Sequence, residues 1–142
     1  MDNITRIHDP KELHRIVERI HDCWFDVEDV VLDKETSTLS IRYEKESQHG
    51  TVEKRIFFLI RKERIPIYEC FLKIGNVKKY DIRDKQQVGK YDFNDIRYNP
   101  ELKRITIRTG VPIGLEIDID RLEVLVEETE KIVDERCSIS IF

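Results

Sequence analysis

The chain contains no alanine, only five glycines and four prolines, and only three cysteines in 142 residues. Each scarcity excludes something. Without alanine the strongest helix former is missing, while Ile, Val, Tyr and Phe suit a pleated, half-buried surface, so the composition leans toward sheet. The scattered glycines leave Gly89-Lys90 without the rest of a phosphate-binding loop, and neither a GxSxG elbow nor an HExxH helix occurs. Cys23, Cys70 and Cys137 are odd in number and far apart, which argues against both a disulfide framework and a zinc-type pair. No apolar run approaches the ~20 residues that span a bilayer, and MDNITRIHDPKE lacks the apolar stretch of a signal peptide. A cytoplasmic chain is the expectation.

Charge is plentiful but balanced. Charged residues make up 38% of the chain with a net charge of −4, so no concentrated positive field is available for phosphate backbones. Nucleic acid is therefore not expected as a partner.

Two stretches align at an offset of 66 residues without a gap: FDVEDVVLDKETSTLSIRYE from Phe25 and YDFNDIRYNPELKRITIRTG from Tyr91. Asp26, Asp29, Glu35, Ile41 and Arg42 match Asp92, Asp95, Glu101, Ile107 and Arg108, and apolar positions coincide between them. A degenerate internal duplication of a supersecondary unit is the reading. It organises a single domain over 1–142. A helix spans about 9–24, a first β unit about 25–83 carries an inserted segment at about 45–64, and a second β unit spans about 91–127. A charged tail, 128–142, follows.

Asp9 as N-cap, Pro10 at the first helical position and Glu12 three residues on predict the helix start; Leu13, Ile16, Val17, Ile20 and Trp24 form its apolar stripe. Period-two alternation then takes over. It predicts a hairpin around DKETST, a buried strand RIFFLI at 55–60, a turn at RKER, a strand IPIYECFLKI and a second hairpin around Asn99-Pro100. VPIGLEIDID alternates most cleanly, and CSISIF is a candidate last strand. If Thr109 and Ile113 close a three-residue loop, Arg104 falls opposite Asp118 and Thr106 opposite Glu116. The fold class is mostly β: an antiparallel sandwich or partly open barrel of about 8–10 strands with one N-terminal helix.

Four groups of residues could carry chemistry. His14, Glu18 and His21 stand at i, i+4 and i+7 on the predicted helix, with donor types suited to zinc or iron, although no second helix offers a matching set. The repeated pairs Asp26/Asp29 and Asp92/Asp95 are candidate ligand-binding carboxylates, set against the ordinary role of aspartate in capping turns. Arg61, Lys62 and Arg64 with Lys78 and Lys79 form a candidate anion or membrane-facing patch. An open sheet edge, with the tail strand foremost, is a candidate surface for a protein partner or for self-association. No cofactor is expected. The functional expectation is a small non-catalytic interaction module with a protein partner; the alternatives are a pocket between the two β units, serving an enzyme or ligand binder, and a membrane-surface adaptor.

Overall fold

Asp9 begins the one α-helix among the described residues by accepting a hydrogen bond from the Lys11 amide at 3.0 Å, and Pro10 opens a 3₁₀ turn, Pro10–Glu12. The computed structural model describes residues 3–47, 51–56, 60–84, 89–111 and 113–141. Helix α1 (Leu13–Ile20) follows the turn and buries Leu13, Ile16 and Ile20. It ends four residues before Trp24, because His21 adopts an extended ψ of 132° and Asp22 a positive φ of 65°. Trp24 therefore lies in a strand and is 54% exposed, instead of completing the helix stripe.

The strands are β1 (Asn3–Ile7), β2 (Trp24–Asp26), β3 (Val30–Asp33), β4 (Thr38–Glu46), β5 (Thr51–Ile56), β6 (Ile60–Ile74), β7 (Val77–Arg83), β8 (Lys90–Asn99), β9 (Arg104–Thr109), β10 (Gly114–Ile119) and β11 (Val124–Ile141). All pairings are antiparallel, in the open path β1-β11-β6-β4-β2-β8-β9-β10-β7, with β3 on β4 and β5 on β6. The protein is thus mostly antiparallel β with one short N-terminal helix.

Two short connections force this open path to fold over. β6 and β7 are six steps apart along it, about 29 Å if the sheet were flat. Only Gly75 and Asn76 join them, a reach of about 11 Å. β10 and β11 are likewise six steps apart and joined by four residues, 120–123. The two crossings hold each other: the Gly75 amide donates to the Glu123 carbonyl and the Asp120 amide to that of Asn76, both at 2.9 Å. One core fills the fold, with Leu39, Ile41, Leu72, Ile74, Val124 and Val126 from one half meeting Ile105, Ile107, Leu115, Ile117, Tyr91 and Phe93 from the other.

The stretches related by the 66-residue offset form hairpins of the same register. Val30 pairs Ile41 and Leu32 pairs Leu39; Ile96 pairs Ile107 and Tyr98 pairs Ile105. The turns match as well. Asp33 accepts from the amides of Glu35 and Thr36, Asn99 from those of Glu101 and Leu102, and Ser37 and Lys103 take φ of 55° and 50°. Shared turn chemistry suffices to set both registers. The hairpins differ where a 3₁₀ turn, Val27–Asp29, separates β2 from β3, while β8 runs on with a bulge between Phe93 and Asp95.

Three segments differ from expectation. RIFFLI is not one strand: Arg55 and Ile56 end β5, Ile60 begins β6, and Ile56 pairs Ile60; Phe57, Phe58 and Leu59 lie outside the described residues. RKER is not a turn but the start of β6, its charges accommodated in a strand flanked by β5 and β11. The charged run EETEKIVDER is strand too, because bulges at Glu128/Ile132 and Ile132/Asp134 absorb the residues that break its alternation.

Candidate interaction edge and mouth of the core

β4 leaves β6 at the pair Glu46 with Ile67, and beyond that point β6 is flanked by β5 on one side and the second half of β11 on the other. These three strands form an arm. Among its described side chains, 63–67 and 134–137, none is buried. Ion pairs brace it instead: Arg136 with Glu46 at 2.8 Å and Arg64 with Glu135 at 3.6 Å.

β11 has two different surroundings. From Val124 to Glu128 it lies between β1 and β6; from Asp134 to Ile141, among the described residues, it pairs with β6 alone, without interruption. The bulges between these parts let the strand swing from body to arm, and they leave its outer edge open over eight residues. Cys137, in the middle of that edge, is exposed.

Where β11 bends, the folded sheet has a mouth. Asn3 stands opposite Glu128, Glu128 opposite Cys70, and Cys70 opposite Tyr43, a row across four strands at the end of the core. A recess of about 600 Å³ opens above it, lined by Arg19, Lys45, Tyr68, Cys70, Glu128 and Thr129 among others. Glu128 is shared by Lys45 and Arg19, each at 3.3 Å, and the Lys45 ammonium also donates to the Arg19 carbonyl at 2.9 Å. That carbonyl lies in the last turn of α1, where the helix dipole favours a cation. Burial pushes the Cys23 and Cys70 thiols up to about 11. Tyr43, buried between them, is pushed far higher by the same cause, and its hydroxyl has no hydrogen-bond partner of normal geometry, the Cys70 thiol being the polar group acting on it most. Register keeps the two thiols apart. Cys70 is on β6 and Cys23 precedes β2 on the far side of β4, so two inter-strand steps, about 10 Å, exceed the ~7 Å limit for a disulfide.

The residues singled out from sequence are distributed over several places. Asp26 and Asp29 form a reciprocal cap: the Glu28 amide donates to Asp26 at 3.0 Å and the Asp26 amide to Asp29 at 3.1 Å. Both line a groove of about 670 Å³ between β2 and β4, with Trp24, Arg42, Lys45 and Lys90. Asp92 accepts from the Gly110 amide at 3.0 Å, and Asp95 accepts from the Ile96 amide and pairs with Arg97. The two aspartate pairs do not share one groove: Asp92 and Asp95 are absent from the lining around Asp26 and Asp29.

His14 and Glu18 lie on α1, but His21 falls past its end, with Asp22 at 3.2 Å as its partner, and the His14 ring meets the Lys11 carbonyl. Among the described residues no three His, Cys, Asp or Glu side chains could hold one metal ion. The basic patch is divided. Arg64 is ten residues from the end of β6, about 33 Å of strand, whereas Lys78 and Lys79 start β7 beyond that end and pair with Asp120 and Asp118. Arg61 and Lys62 stand with Arg64 in the arm.

Arg104 does stand opposite Asp118, at 2.7 Å, and Thr106 opposite Glu116. The Arg104 hydrogen bond holds the Asp118 carboxyl below its ordinary range. Sequence reading missed the mouth. The signal was there: Tyr43 to Lys45 and Val126 to Glu128 each continue an inward alternation by one step, carrying the charges to the rim. No helix among the described residues is long and apolar enough to cross a membrane. Compared with protein-family models, curated proteins and solved structures, the chain matches none.

Proposed function

We propose that this protein is a non-catalytic interaction module that binds a protein partner by adding a strand to the open edge of β11. One observation carries the reading: β11 from Asp134 to Ile141 is regular, eight residues long and, among the described residues, paired on one side only. Such an edge presents a row of backbone donors and acceptors, and strand addition satisfies them with main-chain hydrogen bonds. None of the arm's described side chains is buried, which fits this role, since a partner covers surface that the chain itself leaves bare. Pocket chemistry is the weaker alternative. The mouth is closed by a self-contained ion network, and the β2/β4 groove holds carboxylates already engaged in capping.

The test uses immobilised full-length protein and an extract of its source cells, with wild type compared to Ile139→Lys, which puts a charge on the edge. A protein retained by the wild type and lost with Ile139→Lys, at unchanged far-UV circular dichroism, supports strand addition. Equal retention by both chains overturns it.

A further inference from the structure

The described strands leave several edges uncovered, and they are not equally protected. β5 carries Glu53, Lys54 and Arg55 and a register shift between Val52 and Lys54. β7 carries Lys78, Lys79, Asp81 and Arg83, while β1 and β3 have only five and four residues. Charge, bulges and shortness are the devices by which sheets avoid edge-to-edge pairing. The open edge of β11 runs for eight residues from Asp134, and over Cys137–Ile141 it carries no charge, no proline and no register shift.

Resting on the proposed edge-binding role, we infer that the strand added to β11 is the β11 of a second copy, antiparallel about a twofold axis through Cys137. The charges along the edge keep that axis out of Asp134–Arg136. Centred on Cys137, the pairing sets Arg136 opposite Ser138, Glu135 opposite Ile139 and Asp134 opposite Ser140. No like charges meet directly. Moved by one residue to Arg136, or by two to Glu135, the axis puts arginine opposite arginine or glutamate opposite glutamate, which is destabilising. A twofold contact is also closed, so pairing stops at a dimer even though the edge is sticky. The arm projects this edge away from the body, with Arg136 and Glu135 already neutralised by Glu46 and Arg64 in their own chain.

The geometry sets the two Cys137 side chains on one face, with Cβ atoms about 4.5–5.5 Å apart. A short bis-maleimide reads this directly, because Cys137 is the exposed thiol while Cys70 is buried and Cys23 half-buried. Sedimentation equilibrium of the full chain is expected to give a mass twice the 17.1 kDa of one chain at high concentration. Cross-linking is expected to yield a covalent dimer that Cys137→Ser abolishes, and Ile139→Lys is expected to return the sedimenting mass to that of one chain. A monomer at every concentration overturns the inference, as does a dimer that Ile139→Lys leaves intact or whose Cys137 thiols do not cross-link. If the chain is monomeric while another protein is still lost on Ile139→Lys, the self-pairing falls and the interaction module stands. If that retention is also insensitive to Ile139→Lys, both fall.

Discussion

Glu128 is the residue whose removal says most about how the fold is closed. Its side chain is 19% exposed and takes both Lys45, 25% exposed, and Arg19, 44% exposed. Breaking a fully buried pair costs about 3–5 kcal/mol and an exposed one about 0.2–1 kcal/mol. Burial here is intermediate, and Lys45 keeps the Arg19 carbonyl as a partner, so Glu128→Ala is expected to cost about 1–2 kcal/mol. Stability is measured by urea unfolding followed by far-UV circular dichroism. A cycle with Lys45→Met isolates the pair, and a coupling of about 0.5–1.5 kcal/mol is expected between the two sites. Added salt shrinks the coupling without erasing it, because the pair is partly shielded from solvent. Additivity within about 0.3 kcal/mol would refute the reasoning and leave the row at the mouth held by packing alone.

Three further outcomes follow from the same structure. A thiol reagent at pH 8 should modify Cys137 quickly and Cys23 and Cys70 slowly, since burial pushes both of the latter up to about 11; equal rates for all three in the native protein would contradict the burial. Glu69 is held below its ordinary range first by the Lys131 hydrogen bond at 3.1 Å, against opposing desolvation. Its stabilisation is present above the unfolded value of about 4.3 and is lost as pH falls through the lower folded one, so Lys131→Met should cost about 0.2–1 kcal/mol at pH 7 and progressively less below about pH 4, measured as melting temperature against pH. Ser37→Gly and Lys103→Gly relieve positive φ at equivalent turn positions, and each should raise stability by about 0.5–1 kcal/mol; a loss at either site would refute the strain argument.

Much of the body was legible because local chemistry there agrees with the final structure. Asp33 and Asn99 declare the turns, and the alternation around Ile105 and Ile117 dictated the β9–β10 register down to Arg104 opposite Asp118. The failures share a cause. RIFFLI reads as a buried strand because all but its arginine are apolar, yet Ile56 pairs Ile60, a contact that apolar content alone does not announce. RKER and EETEKIVDER read as turn and tail because charge density resembles a loop; they are two neighbouring strands, and alternation puts their charges on both faces. Trp24 fits the helical spacing, and only the backbone at His21 and Asp22 removes it. The mouth, too, depends on long-range pairing: Glu128 reaches Lys45 across 83 residues.

The high charge of the chain and the openness of its arm are two sides of one arrangement. On the body, charges stand on the outer face of a sheet whose inner face is filled. There Arg104 and Lys79 converge on Asp118, Arg42 and Lys131 on Glu69, and Lys73 on Glu127. Each pair adds little, so the stability of the body comes from the core beneath, and the charges mainly keep its face from sticking. The arm has the same ionic decoration, and none of its described side chains is buried. A ribbon of this kind is marginal in isolation, held by its hydrogen-bonded continuity with the body through β6 and β11. Its charge ends at Arg136, and the strand runs on through Cys-Ser-Ile-Ser-Ile with one side unpaired. Protection applied to the other long edges among the described strands and withheld from this one is the reason to read it as a binding surface.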